Sequence, residues 1–196
     1  MIDTIYLENS VASYDRVKSI TGRFPEAVRV PCERYQEVFN PKAQNFRLQK
    51  KRPALILAKK IGTAILPTPE SYGIGGQHNY YFSHMLNCIY DCRYCFLQGM
   101  YRSGHYVVFV NYEHFFSGMS EKLKIHRGED VWFFSGYDCD SLALEPVTGF
   151  VRELLGWLRQ HSRAQVELRT KSTQIRALFE TAPLPCLLYT SPSPRD

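Results

Sequence analysis

The sequence predicts an α/β protein whose strands form a parallel sheet or a partial (β/α) barrel. From Asn79 onward, short apolar segments alternate with amphipathic segments of helical length, and strands that alternate with helices favour a parallel arrangement. Hydrophobic residues make up 44% of the 196-residue chain and aromatic residues 14%. This composition excludes disorder and can fill one sizeable core. In such folds the loops at the carboxyl ends of the strands carry the chemistry.

The first part of the chain, residues 1–75, is predicted to be an N-terminal α/β lead-in region. It contains a helical pattern at 13–21 and two short apolar segments at 54–58 and 63–67. These segments favour either a hairpin or a layer of strands that leads into the main sheet. The Gly-rich stretch at 70–79 lacks the strand-to-helix setting and the spacing of a dinucleotide or phosphate loop. We therefore interpret it as a turn.

Residues 76–185 are predicted to form the first half of a barrel, truncated after about three βα units. The predicted strands are 80–86, 131–136 and 166–170, and the predicted helices are 113–125, 145–161 and 173–181. The stretch 88–95, Cys139 and Lys171 each follow a predicted strand. Because the carboxyl ends of parallel strands meet at one edge of a sheet, we expect these residues at the same end of the fold.

The segment 186–196, CLLYTSPSPRD, matches a translation of a transposase-type sequencing adapter. We expect it to be an adapter artefact rather than protein sequence, and it does not enter the fold prediction. The alternative is a natural linker rich in Pro and Ser. On the adapter interpretation, the natural sequence continues differently after about Pro185.

Charge and targeting signals narrow the class of protein only slightly. The net charge of +5 and the pI of about 8.9 fit a polyanionic partner such as nucleic acid, but basic enzymes are also common. The N-terminal residues MIDTIYLENS lack the basic and apolar regions of a signal peptide. No stretch approaches the roughly 18 apolar residues of a membrane span. We expect a cytoplasmic protein, a monomer with no membrane partner.

The cysteines carry the strongest chemical signal. Six are present, at positions 32, 88, 92, 95, 139 and 186. A chain that can build a core needs no disulfide staples, so metal binding or catalysis is favoured. A structural zinc ion would need a fourth ligand beside Cys88, Cys92 and Cys95, from Cys139, His84 or His105. A [4Fe–4S] cluster held by three thiolates leaves one iron open to a small molecule.

The stretch NCIYDCRYCFLQGMYR resembles the cluster motif of the radical S-adenosylmethionine (SAM) superfamily. Cys88, Cys92 and Cys95 give the spacing Cys-x3-Cys-x2-Cys, and the aromatic Tyr94 stands just before the last cysteine. The resemblance implies that these cysteines bind a [4Fe–4S] cluster whose open iron holds SAM. Reduction of the bound SAM would then give a 5′-deoxyadenosyl radical, with the electron supplied by a donor such as a flavodoxin or ferredoxin.

Several further stretches resemble the spore photoproduct lyase family over about residues 1–185. They are VPCERY upstream, CRYCFLQ, the aromatic VVFVNYEHF, and CDS at 139–141. The resemblance implies a lyase that reverses a thymine dimer in DNA. It implies that Cys139 returns a hydrogen atom to the product. It also implies that Ser141 and Lys171 lie near SAM, and that Tyr94 lies beside its adenine at the catalytic centre.

One residue departs from the family pattern, and one alignment is open. Family members carry a tyrosine after the third cluster cysteine as part of a radical relay, whereas this chain has Phe96. Aligning the LEPVT stretch instead would place Tyr137 opposite the hydrogen donor. Two other functions therefore stay open: radical SAM chemistry on a non-DNA substrate, and an iron–sulfur module that binds nucleic acid or electrons without cleaving SAM.

Carboxylates crowd the loop around Cys139. Asp138, Asp140 and Glu145 could suggest an acid/base pair, but no histidine faces them in the sequence pattern. We interpret them as capping or solvated groups.

Overall fold

The structure is a computed structural model that describes residues 2–39, 41–42, 44–90, 92 and 95–180, together with the backbone of 186–190. These residues form two compact units. The first unit combines Met1–Lys60 with Met85–Asn111, and the second combines Ile61–His84 with Tyr112–Asp196. Both units draw on residues from either side of position 75, and the division at 75/76 stays a prediction.

The helices and strands follow in chain order. The strands are β1 Thr4–Glu8, β2 Val28–Cys32, β3 Leu55–Ala58, β4 Leu66–Pro67, β5 His78–Phe82, β6 Met85–Leu86, β7 Tyr106–Phe109, β8 Val131–Ser135, β9 Ala164–Thr170 and β10 Cys186–Thr190. The helices are α1 Asp15–Gly22, α2 Phe46–Lys51, α3 Leu97–Met100, α4 Tyr112–Ile125, α5 Glu145–Thr148, α6 Phe150–Leu158 and α7 Arg176–Phe179.

The first unit is built on a sheet with the strand order β2-β1-β3-β7-β6. The pairs β1–β2, β1–β3 and β3–β7 are parallel, whereas β6 runs antiparallel to β7. The two central strands, β3 and β7, are buried along their whole length. Continuous apolar strands of this kind are expected where both faces of a parallel sheet are covered.

The second unit is built on a sheet with the strand order β10-β9-β8-β5-β4. Strands β5, β8, β9 and β10 are parallel, and β4 pairs antiparallel with β5 at the edge. Helices α4 and α6 contribute apolar faces to its core, centred on Phe115 and Phe150, whose rings are 5.8 Å apart. Both rings are fully buried, and their edge-to-face packing stabilises the helix layer.

The sequence-based assignment holds where one element carries its own periodic pattern. Helix α4 and strand β8 begin and end within one residue of the predicted bounds. The helix predicted at 145–161 is divided at Gly149, which has a left-handed φ of +63°. Glycine adopts this conformation without steric penalty, so it permits the turn between α5 and α6.

Two strand assignments differ from the structure. Of the two arrangements expected for the apolar segments at 54–58 and 63–67, a hairpin or a lead-in layer, the hairpin is wrong, because β3 joins the first sheet and β4 joins the second. The strand predicted at 80–86 is divided into β5 and β6, which also belong to different sheets. The predicted α/β class with parallel sheets is confirmed. The tail predicted to be adapter-derived contains β10, which pairs with β9. This pairing does not test where the tail comes from, so its origin stays a prediction.

Across the part of the chain that the structure describes, every helix is too short or too polar to cross a bilayer.

Candidate functional site

The cysteine loop, residues 88–95, lies between β6 and α3 in the first unit. Cys88, Cys92 and Cys95 are half-buried. The backbone N–H of Cys95 donates to the carbonyl of Cys92 at 3.0 Å, and Gln98 donates to Cys95 at 3.1 Å. These turns lead the chain directly into α3. Such half-exposed thiols, close in sequence and on one loop, are chemically suited to iron.

Among the described residues, no three His, Cys, Asp or Glu side chains lie close enough together to hold an ion. Cluster binding by Cys88, Cys92 and Cys95 therefore stays a prediction. Tyr94 lies outside the described residues, so its predicted role is not addressed by the structure.

Asn87 closes the base of the cysteine loop. Its side chain is 3% exposed, and its Nδ2 donates to the carbonyl of Ser103 at 2.6 Å and to that of His105 at 2.8 Å. One amide nitrogen carries two hydrogens and can satisfy both acceptors. The backbone of Asn87 has a φ of +67°, a left-handed conformation that asparagine tolerates better than most residues. The sequence pattern gave no signal for this residue, because an isolated polar residue before a loop resembles an ordinary turn.

We expect Asn87→Ala to lower the free energy of unfolding more than Asn87→Gly does. Both variants lose the two hydrogen bonds, which stabilise the fold by about 1–3 kcal/mol. Alanine adds about 1–2 kcal/mol of left-handed backbone strain, which glycine does not suffer. Urea denaturation of the three proteins measures the difference. Equal stability of the alanine and glycine variants would contradict the backbone argument.

The two histidines proposed as zinc ligands have structural roles. The Nδ1 atom of His105 accepts a hydrogen bond from the backbone of Ala54 at 3.0 Å. His84 is 1% exposed, and its ring stacks on Phe150 with centroids 4.1 Å apart and planes 4° apart. Burial lowers the pKa of both histidines, that of His84 to about 3. Both rings are therefore largely neutral at pH 7. The hydrogen bond that His105 accepts and the stacking of His84 on Phe150 favour the structural interpretation.

His84 should make the fold acid-sensitive. Because its pKa falls from 6.5 in the unfolded chain to about 3 when folded, below pH 6.5 the unfolded chain binds a proton that the folded chain does not. Stability is therefore lost as the pH falls from 6.5 towards 3, at a limiting slope of about 1.4 kcal/mol per pH unit. His84→Phe keeps a stacking ring and cannot titrate. We expect urea denaturation between pH 7 and 4 to show a shallower slope in this variant. Parallel slopes would mean that other groups control the acid sensitivity.

The second cluster of predicted residues lies in the second unit, on the loops after β8 and β9. Asp140, which is 6% exposed, joins these loops. Its carboxylate accepts from the backbone of Leu142 at 2.9 Å, the hydroxyl of Thr170 at 2.7 Å and the backbone of Lys171 at 2.6 Å. Asp140 is therefore a buried carboxylate that caps backbone N–H groups. Of the two interpretations, capping or solvation, the solvated one is wrong for it.

Ser141 and Lys171 are brought together through this arrangement. Ser141 donates its backbone N–H to the carbonyl of Arg169 at 2.9 Å, and its hydroxyl accepts from the backbone of Arg169 at 3.1 Å. Gly136 permits the tight loop: its φ is +81°, and a Cβ there would lie 2.6 Å from the Ser141 hydroxyl. The two residues predicted to contact SAM thus belong to one hydrogen-bonded corner of the second unit.

Glu145 confirms the capping interpretation. Its carboxylate accepts from the backbone N–H groups of Val151 at 2.8 Å and Arg152 at 3.0 Å, in the first turn of α6. Burial raises the pKa of Glu145, and the two backbone donors partly oppose that shift. This carboxylate holds the start of α6, a structural task that accounts for its burial.

The two candidate hydrogen donors have different exposures. Cys139 is 6% exposed, whereas Tyr137 is 38% exposed and lies with its ring centroid 4.7 Å from that of Tyr81. Phe96, at the position where the family resemblance implies a relay tyrosine, is 61% exposed. A buried thiol is protected from solvent and from side reactions, as a radical donor requires.

The fold matches solved structures of spore photoproduct lyase. A mutant with a serine-to-cysteine and a cysteine-to-alanine change, bound to SAM and a dinucleoside spore photoproduct, has a TM-score of 0.82 at 15% identity. The lyase complexed with dinucleoside spore photoproduct and a tyrosine-to-phenylalanine mutant each have a TM-score of 0.82 at 16% identity. Each match covers 98% of this chain and 56% of the lyase chain.

These matches confirm the predicted α/β fold with parallel sheets, which corresponds to part of the spore photoproduct lyase fold, and the described residues form no closed barrel. The chain spans 56% of the length of the lyases that it matches. No family model matches the sequence, and no curated protein matches it either.

Proposed function

We propose that the chain is part of a radical SAM enzyme of the spore photoproduct lyase family that reverses a thymine dimer in DNA. The observation that carries the proposal is the likeness to the lyase fold over 98% of the chain, combined with Cys88, Cys92 and Cys95 on one loop. At 15% identity the likeness concerns the fold. The cysteine spacing and the corner around Asp140 supply the chemical argument.

The cysteine loop would hold a [4Fe–4S] cluster through Cys88, Cys92 and Cys95. When bound, the cluster supplies the electron that cleaves SAM into methionine and a 5′-deoxyadenosyl radical. The residues of this chain have positioning roles. Asn87 fixes the base of the loop, and the half-buried thiols must be deprotonated before they bind iron.

Ser141 and Lys171 would contact SAM, with Tyr94 beside its adenine. Asp140 supports this role because its carboxylate binds the backbone of Lys171 and the hydroxyl of Thr170. A backbone that is fixed before the ligand arrives lowers the entropic cost of binding. Asp140 therefore acts as a positioning residue in the proposal.

Cys139 would donate a hydrogen atom to the carbon radical that remains on the product after the crosslink has broken. The S–H bond breaks, a C–H bond forms, and a thiyl radical is left on the sulfur. In this chain Phe96 has no O–H with which to return a hydrogen atom. We propose that the thiyl radical takes one electron from a flavodoxin- or ferredoxin-type donor and one proton from solvent.

The alternative supported by a specific observation is a radical SAM enzyme with a non-DNA substrate. Phe96 supports this alternative, because the radical relay of the family needs a tyrosine at this position. The substrate test is direct: the reconstituted chain is incubated with SAM, dithionite and dinucleoside spore photoproduct, and thymidine products are measured by chromatography. We expect repair of the lesion. SAM cleavage with an intact lesion would favour the non-DNA substrate.

A further inference from the structure

One face of the second sheet carries polar and aromatic residues. Tyr81, Phe134 and Glu167 are register partners on adjacent strands β5, β8 and β9. Arg169 lies two residues beyond Glu167, and because side chains alternate along a strand it shares the same face. The proposed SAM contacts, Ser141 and Lys171, leave these four side chains unassigned.

An ion pair with the buried Glu167 fixes the half-buried guanidinium of Arg169 on this face. Its Nε donates to the carboxylate of Glu167 in a short hydrogen bond, and Glu167 is 3% exposed. The guanidinium carbon lies 5.6 Å from the ring centroid of Tyr72 and 5.7 Å from that of Phe134. Burial lowers the pKa of Arg169, but the hydrogen bonds with Glu167 and Tyr72 outweigh this effect and raise it. The group is permanently charged and held in one orientation.

A narrow pocket opens beside the guanidinium. Its walls include Tyr72, Tyr81, Phe134, Tyr137 and Arg169, and its volume is about 10 Å³. A cavity of this size admits one water-sized atom and excludes a ring. Tyr72 and Tyr137 are 48% and 38% exposed. The pocket therefore offers aromatic surface to solvent and a fixed cationic donor within.

We propose that Tyr72, Tyr137 and Arg169 form the subsite that binds the pyrimidine ring of the lesion, a proposal that rests on the function proposed above. The ring stacks on the exposed tyrosines, and one of its carbonyl oxygens enters the pocket to accept from the guanidinium. Every base has a π face that can stack on an aromatic side chain. A carbonyl oxygen is the size of group that the pocket admits.

The charge balance favours a neutral ring over an anion. Glu167 neutralises Arg169 within the buried pair, so a phosphate or carboxylate would meet a repelling carboxylate as well as an attracting guanidinium. A neutral carbonyl can use the remaining N–H donors without this penalty. The pair is thus suited to a pyrimidine-2,4-dione ring rather than to the sugar–phosphate backbone.

The position of the pocket suits a substrate. Arg169 exchanges two backbone-mediated hydrogen bonds with Ser141, one of the proposed SAM contacts. The subsite and the proposed SAM contacts therefore share one corner of the second unit. A ring bound there would lie near Ser141, one of the proposed SAM contacts.

Binding of dinucleoside spore photoproduct to the chain by isothermal titration calorimetry tests the proposal. We expect Tyr72→Ala to weaken binding between about 5-fold and 150-fold, because one base loses its stacking surface. Tyr72→Phe, which keeps the ring, should bind the dinucleoside with an affinity much closer to that of the unchanged protein. Arg169→Lys keeps a charge for Glu167 but loses the planar fork, and it should also weaken binding. Phe179→Ala, which removes a ring that is 75% exposed on α7, is the control and should not change the affinity.

Separate outcomes distinguish the two proposals. Unchanged affinity in Tyr72→Ala and Arg169→Lys, or no binding by the unchanged chain, would overturn the subsite. Displacement of the dinucleoside by inorganic phosphate would also overturn it, because the pocket would then be an anion site. Production of 5′-deoxyadenosine by the unchanged chain is measured in parallel, since its absence counts against the proposed function whatever the affinities are.

Discussion

Replacing Cys92 with alanine is expected to abolish the broad visible absorbance of the reconstituted chain and to reduce SAM cleavage to background. The proposed cluster has three protein ligands, so the loss of one leaves two thiolates for four irons. Cys88→Ala and Cys95→Ala should behave alike, because each removes one of the same three ligands. Absorbance spectroscopy, with iron and sulfide analysis, measures the effect.

Cys32→Ala is the matched control for these variants. Cys32 lies in the first unit, is 8% exposed, and has its pKa raised to about 11 by burial and by the nearby Glu8, Glu37 and Glu33. Only the thiolate binds iron, so this protonated thiol should not contribute. We expect full cluster content in Cys32→Ala. Retention of iron and sulfide in all three loop variants would mean that the loop cysteines are not the cluster ligands.

Asp140→Ala is expected to destabilise the second unit by about 3–5 kcal/mol, since three donors in a buried corner lose a charged acceptor. Asp140→Asn should lower the free energy of unfolding by less. Its amide oxygen can still accept hydrogen bonds, although its NH2 group faces the N–H of Lys171. Asp138→Ala removes a half-buried carboxylate from the same loop and should have little effect. Urea denaturation compares the three variants.

Asp140→Asn should also weaken SAM binding if Asp140 positions Lys171. The readout that separates this role from stability alone is SAM affinity measured below the unfolding transition, where every variant is folded. Asp140→Asn should then bind SAM more weakly than Asp138→Ala does. A fully folded Asp140→Asn with unchanged SAM affinity would limit Asp140 to a structural role.

The sequence predicted the elements whose information is local. The apolar positions of α4 recur with helical spacing, and β8 begins with four aromatic or β-branched residues, so each could be assigned from its own window. The family resemblance through Cys88, Cys92 and Cys95 implied a fold that the structural matches confirm. Both results depend on residues close together in the chain.

Pairings between distant segments could not be predicted in the same way. Asn87 binds carbonyls 16 and 18 residues away, and Asp140 binds Thr170 across 30 residues. In sequence, each is an ordinary polar loop residue. β5 and β6 lie in different sheets because they pair with different strands. A periodic sequence pattern does not specify which strands will pair. The predicted roles of Cys139, Tyr94, Ser141 and Lys171 stay predictions.

The most direct test of the central claim is anaerobic reconstitution of the chain with iron and sulfide, followed by addition of SAM and dithionite. The account predicts a visible-absorbing cluster and the formation of 5′-deoxyadenosine, quantified by liquid chromatography, with none formed when SAM is added to the Cys92→Ala variant. A chain that holds full iron and sulfide yet leaves SAM intact would contradict the claim and favour an iron–sulfur module without radical chemistry.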